Sequence, residues 1–150
     1  MDAPLLAAAS GFAAATGYGA RVAVREHVPG EPFGVRAPGQ VATHLLLGWG
    51  AGISAPWPMP VTAVALALRG RAGAGTGCLA IGAAFLLGQL VEPVTWGRRP
   101  SSPAITRSMA LNLASGAALV LAGVSARCAT PRRPSCHRRA RCGRRCPAAA

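Results

Sequence analysis

The sequence predicts an all-α integral membrane protein: a bundle of about four transmembrane helices, the second of them broken, followed by a disordered basic tail. Hydrophobic residues make up 51% of the 150 residues and charged residues only 13%, a balance unusual for a soluble domain of this length. The charges also lie at the ends of long neutral segments, each near the roughly 20 residues that a helix needs to cross a bilayer. Ala-rich soluble helices are the alternative, but these carry polar residues on one face.

The positions of the neutral segments predict the spans. The first follows an acidic residue and no basic ones, so we expect a retained span rather than a cleaved signal peptide. The second is too long for one straight crossing and too short for two. We place the spans at 3–20, 41–68, 72–91 and 108–126, within a bundle of residues 1–126, and the tail at 127–150.

The second span is expected to break at residues 56–60, which read "PWPMP" and contain Pro56, Pro58 and Pro60. Each proline removes a backbone N–H donor and pushes the preceding residue away from the α region. Two topologies remain open: the chain crosses the membrane once with a break at these residues, or it turns back at them as a hairpin. We favour one broken crossing, which gives four principal spans, because the limbs of a hairpin would each be short of a full span. The distribution of arginines favours the hairpin instead.

Small residues at four-residue spacing indicate close helix packing within the bundle. In lipid, such rows let helix backbones approach and gain dispersion contacts, within one chain or between copies in a homo-oligomer. The residues proposed for this packing are Gly48, Gly52, Gly73 and Gly77.

The tail differs in composition from the bundle. From residue 127 onward it has eight arginines, four cysteines and no acidic or aromatic residue, so we expect it to be disordered and cytoplasmic. Anionic lipid headgroups are its expected partner, and nothing indicates specific nucleic-acid recognition. A weak metal site is an alternative, although the ligand spacing is not a common zinc pattern. Its ligands would be Cys128, Cys136, His137, Cys142 and Cys146. A frameshifted, non-functional extension of a GC-rich gene is a further alternative.

Polar residues near the span ends form the one candidate site. Glu92 is the only acidic residue that borders a span other than the first, and ionisable groups inside membranes are often functional. The candidate ligand or ion cluster is His44, Gln89, Glu92, Arg107 and Asn112. The alternative is that these are ordinary span-end residues facing headgroups.

No catalytic or cofactor motif accompanies this cluster. We therefore predict a multi-pass protein of the cell membrane with a structural or accessory role, and not an enzyme. The alternative function is a small ion-coupled transporter or channel subunit that uses the cluster around Glu92.

Overall fold

The computed structural model describes residues 2–36, 38–47, 50–70, 73–98 and 102–129, and within them the chain is all-helical. The prediction of an all-α fold is therefore confirmed. The helices are α1 (Ala3–Arg25), α2 (Val41–Leu47), α3 (Pro58–Arg69), α4 (Ala74–Leu90) and α5 (Pro103–Ala129), and two 3-10 turns lie at Pro32–Gly34 and Pro93–Trp96. Among these helices, α5 alone is long and apolar enough to cross a membrane by itself, while α3 and α4 are shorter apolar helices.

Capping residues explain where the longest helices begin. The Oδ1 atom of Asp2 accepts a hydrogen bond from the Leu5 amide at 3.2 Å, and Ser102 Oγ accepts one from the Ile105 amide at 3.3 Å. Each cap satisfies an amide that has no partner inside its helix. The cap at Ser102 starts α5 at Pro103 rather than at residue 108, and the helix continues to Ala129, past the predicted end at 126.

The break in the second predicted span lies before most of its prolines. Residues 50–57 separate α2 from α3, and they include Pro56. Pro58 and Pro60 instead occupy the first turn of α3. Proline is tolerated there because amides in the first turn of a helix have no intrahelical partner to lose. These two prolines therefore begin a helix rather than interrupt one.

Four helices pack side by side in alternating directions. Helices α3 and α5 both pack against α1 and against α4, so α1 and α4 lie diagonally. We call the end where α1 begins and α5 ends the tail end; its buried apolar residues include Leu5, Ala9, Phe12, Ala67, Ala74, Cys78 and Leu119. We call the opposite end the loop end; its buried apolar residues include Ala20, Val22, Leu45, Ile53, Val94 and Ile105. The chain from α2 to the end of α3 therefore passes from the loop end to the tail end.

Glycines bring the backbones of α4 and α5 together. A Cβ atom added at Gly82 would lie 3.0 Å from the Gly116 carbonyl oxygen, and one added at Gly123 would lie 2.7 Å from the Gly75 carbonyl oxygen. The distance at Gly123 is shorter than real Cβ atoms show and the distance at Gly82 is tighter than most of their contacts. The atoms met are backbone atoms that cannot rotate away. Close backbone approach at small residues is the packing mode expected for helices in lipid.

The glycines proposed from the sequence have different surroundings. A Cβ at Gly77 would meet the end of the Leu66 side chain of α3 at 2.6 Å, so this glycine lies where α3 and α4 face each other. Gly73 is the N-cap of α4 and has open space around it. Gly52 lies in the segment between α2 and α3, and Gly48 is outside the described residues.

We predict that Gly82→Ala lowers the stability of the bundle while Gly88→Ala on the same helix does not. An added Cβ at Gly82 meets backbone of α5, whereas nothing lies within 4 Å of one added at Gly88. Overpacking of this kind costs about 1–3 kcal/mol. Unfolding in detergent, followed by circular dichroism, measures the difference, and equal stability of the two variants would contradict the α4–α5 contact.

Candidate functional site

An irregular backbone segment is buried inside the bundle. Every residue from 50 to 56 is buried, although none belongs to a helix. Two mutual bonds close a tight turn: the Ser54 amide donates to the Ala51 carbonyl at 2.9 Å, and the Ala51 amide donates to Ser54 at 3.1 Å. Outside the turn, the Trp57 amide donates to the Leu45 carbonyl at 3.0 Å. We call residues 50–56 the buried segment.

Polar side chains connect this buried segment to α1 and α5. Ser108 Oγ on α5 donates to the Ile53 carbonyl at 3.4 Å, and Ser54 Oγ donates to the Thr16 carbonyl on α1 at 3.0 Å. Asn112 Nδ2 completes the group by donating to the carbonyls of Ala15 at 3.1 Å and Ser108 at 3.0 Å. We call Thr16, Ser54, Ser108 and Asn112 the inner polar cluster; all four are buried.

Gly19 makes room for the inner polar cluster. A Cβ atom at this position would lie 2.7 Å from Asn112 Nδ2 and 2.9 Å from the Ile53 carbonyl oxygen. Any larger residue would therefore push α1 away from both. Two oxygen atoms of the cluster, Thr16 Oγ1 and Asn112 Oδ1, are buried without a hydrogen-bond partner in the described structure. Ordered water is the ordinary partner of such atoms in protein interiors.

Two buried carboxylates lie at the loop end. Glu92 follows α4 and is 6% exposed, and Glu31 in the loop after α1 is 4% exposed. The two Glu92 oxygens accept from the Glu31 amide at 3.0 and 3.3 Å. Glu31 Oε1 in turn lies 3.9 Å from Arg36 Nε. We call Glu31 and Glu92 the carboxylate pair.

The carboxylate pair fastens the loop after α1 onto the end of α4. A backbone bond from the Phe33 amide to the Val91 carbonyl, at 3.0 Å, reinforces the same contact. The buried segment also touches the pair, because a Cβ at Gly52 would lie 3.2 Å from Glu92 Oε2. Sequence reasoning missed Glu31, because it lies in a loop that borders no predicted span. Its place between Pro29–Gly30 and Pro32 was the only local signal.

The structure places the five residues of the predicted polar cluster in different parts of the molecule. Asn112 belongs to the inner polar cluster and Glu92 to the carboxylate pair. His44 on α2 is buried, and its Nε2 atom lies 2.9 Å from the carbonyl oxygen of Pro38 in the loop that precedes α2. Gln89 is buried one turn before Glu92, and Arg107 is exposed on α5.

The proposed tail ligands are largely beyond the described residues. Cys128 lies in the last turn of α5 and is exposed, while Cys136, His137, Cys142 and Cys146 lie outside the described residues. Within the described part of the chain, no group of His, Cys, Asp or Glu side chains is arranged to hold a metal ion.

Comparisons of this chain with models of protein families, with curated proteins and with solved structures find no match. Inference about function therefore rests on the physical features described above. Chemically, these are hydroxyl and amide groups that bind backbone carbonyls, and two carboxylates engaged by an amide and an arginine.

We predict that Ser108→Ala destabilises the fold more than Ser125→Ala on the same helix. Ser108 Oγ donates to the buried segment, whereas Ser125 is exposed and bonds the Leu121 carbonyl of its own helix. Leaving a buried carbonyl without its partner is expected to cost roughly 1–3 kcal/mol. Unfolding of both variants in detergent measures this. If both lose equal stability, the buried segment does not depend on α5.

Proposed function

We propose that this chain is a small multi-pass membrane protein whose helical bundle has a structural or accessory role. The exposed surface of α5 carries this proposal. The most apolar 18-residue stretch of α5 has a mean hydropathy of 1.7, yet only 28% of that stretch is buried. A core helix of a soluble protein would be mostly buried. Between Ser108 and Ala126 the exposed residues of α5 include no charged side chain.

The other helices support the same proposal, because they also leave large apolar side chains exposed on the outside of the bundle. Such a distribution exposes a large apolar surface to solvent, which soluble monomers avoid, and it is the arrangement expected in lipid. The exposed large apolar residues of the helices include Val24, Val61, Leu68, Leu87, Leu90, Leu111, Leu121 and Val124.

Among the described residues, the charged ones lie towards the two ends of the bundle. The neutral part of α1, the whole of α4 and the neutral part of α5 are each about 26–28 Å long at 1.5 Å per residue, close to the roughly 30 Å of a hydrocarbon core. Of the four helices of the bundle, α3 is shorter, at about 18 Å. In this proposal the buried segment crosses the rest of the hydrocarbon core. Irregular backbone at membrane depth is tolerated where protein surrounds it.

Small residues on the outside of α4 support self-association. Ala80, Ala84 and Gly88 are exposed at four-residue spacing, and a row of this kind allows a second helix to approach closely. For the basic tail we retain the proposal of a cytoplasmic segment on anionic lipid, since an arginine-rich chain next to a span is attracted to such headgroups.

The second candidate function is an ion-coupled carrier or channel subunit. Gln89 Oε1 and Thr95 Oγ1 are buried without a hydrogen-bond partner in the described structure. Both residues lie within three positions of Glu92, which is itself buried. Oxygen atoms of this kind near a carboxylate favour a bound cation or polar ligand.

Replacing Leu121 by arginine tests the membrane proposal. Leu121 is 67% exposed within the neutral part of α5, five residues before that part ends, and a charge inside a span costs up to about 2.5–3.5 kcal/mol. We expect Leu121→Arg to be lost from the alkali-resistant membrane fraction. The control, Thr106→Arg near the charged start of α5, should stay there with the wild type. If both the wild type and the control are absent from the alkali-resistant membrane fraction, the proposal is contradicted.

Glu92→Gln separates the scaffold from the carrier. The variant keeps an oxygen that accepts from the Glu31 amide but removes the charge. In proteoliposomes with a trapped pH dye, a scaffold should show the same proton permeability with Glu92→Gln, with the wild type and with the exposed control Glu26→Gln. Proton flux in the wild type and in Glu26→Gln, and its loss in Glu92→Gln alone, would establish the carrier.

A further inference from the structure

A groove of about 560 Å³ opens on the surface of the loop end, between the last turns of α1, helix α2 and the residue before α3. Its largest lining side chains are Arg21, Val24, Arg25, Leu45, Leu46 and Trp57. The remaining lining residues are glycine or alanine, so the groove is wide and smooth between these side chains.

The groove combines positive charge with an apolar surface. Arg21 and Arg25 lie one turn apart on α1, and no acidic side chain lines the groove. Leu46 is 66% exposed and Trp57 38% exposed. Water-exposed apolar side chains beside two guanidinium groups are complementary to a ligand with an anionic head and an apolar chain.

The groove lies at the level where a bilayer changes from hydrocarbon to headgroups, if the proposed function is correct. Arg21 is the first charged residue of α1 after the neutral part, 3–20, and its guanidinium would be at headgroup height. Trp57 is typical of the same interface, where its ring is half apolar and its N–H can reach water.

We propose that this groove binds one phospholipid with an anionic headgroup. The headgroup phosphate accepts hydrogen bonds from Arg21 and Arg25, and an acyl chain lies along Val24, Leu46 and Trp57. Arginine suits this role because its planar fork donates two parallel bonds to a phosphate. This inference rests on the proposed membrane function, because the bilayer supplies the ligand laterally.

Quenching of Trp57 fluorescence by brominated lipid tests the proposal in the full chain. Trp49 and Trp96 are replaced by phenylalanine, which leaves Trp57 as the only tryptophan. The protein is reconstituted into phosphatidylcholine that contains a small fraction of brominated phosphatidylglycerol or brominated phosphatidylcholine. We expect half-maximal quenching by brominated phosphatidylglycerol at a mole fraction about thirtyfold lower than by brominated phosphatidylcholine. Two arginines near an anionic headgroup imply a preference of this size.

Two double variants with equal charge change isolate the groove. Arg21→Gln with Arg25→Gln should abolish the preference for phosphatidylglycerol. Arg98→Gln with Arg107→Gln removes two exposed arginines that do not line the groove, and should retain the preference. Ala42→Phe, which fills the groove and keeps both arginines, should also reduce quenching by phosphatidylglycerol. Equal quenching by the two lipids in the parent protein would overturn the proposal, as would equal loss of preference in both double variants.

A separate probe distinguishes failure of the groove from failure of the membrane proposal. Leu121→Trp, with the three native tryptophans replaced by phenylalanine, places the fluorophore on the exposed apolar surface of α5. Quenching of this probe by brominated phosphatidylcholine, without any lipid preference at Trp57, would overturn the lipid site alone. No quenching of either probe would overturn both proposals. Inorganic phosphate can be added to the water at the same concentration as the brominated phosphatidylglycerol. If it then abolishes the quenching of Trp57, the groove is a phosphate site rather than a lipid site.

Discussion

The need to satisfy a non-helical backbone inside the bundle constrains the rest of this structure. Residues 50–56 are buried without helical hydrogen bonds, and an unpaired buried peptide group is costly, above all where no water is available. Ser108 on α5 therefore donates to the Ile53 carbonyl of this segment. The Ser54 hydroxyl within the segment donates to the Thr16 carbonyl on α1 and ties the two together. Gly19 is required for the same reason, since a side chain there would displace both the amide of Asn112 and the Ile53 carbonyl.

The interior and the outer surface of the bundle differ in their polar groups. The interior holds hydroxyl and amide groups beside large apolar residues such as Phe12, while α5 exposes Leu121 and Val124 on the outside. Packing between helices depends on close backbone approach at Gly82 and Gly123. It depends also on buried side chains such as Phe12 and Phe85, whose ring centroids are 5.2 Å apart. The inner polar cluster and the carboxylate pair both hold non-helical backbone against helices. The cluster does so in the middle of the bundle, and the pair does so at the loop end, where it holds the loop after α1 against the end of α4.

The sequence was sufficient to predict the helical class and the approximate places of α1, α4 and α5, because charge-free segments of helical length are visible without any tertiary information. It placed the break too near the prolines, since Pro58 and Pro60 suit the first turn of a helix as well as its interruption. The glycine contacts between α4 and α5 depend on the register of two antiparallel helices, which a single sequence does not display. Glu31 was missed because its burial results from a contact with Glu92, 61 positions away.

The central claim is that the bundle crosses a bilayer with its loop end and its tail end on opposite faces. Labelling of single cysteines by an impermeant thiol reagent tests it most directly, in a chain whose five native cysteines are replaced. We expect Val35→Cys and Arg98→Cys at the loop end to label in intact cells, and Arg69→Cys at the tail end to label only after permeabilisation, because the more arginine-rich side stays cytoplasmic. Identical labelling of all three positions, before and after permeabilisation, would contradict the claim.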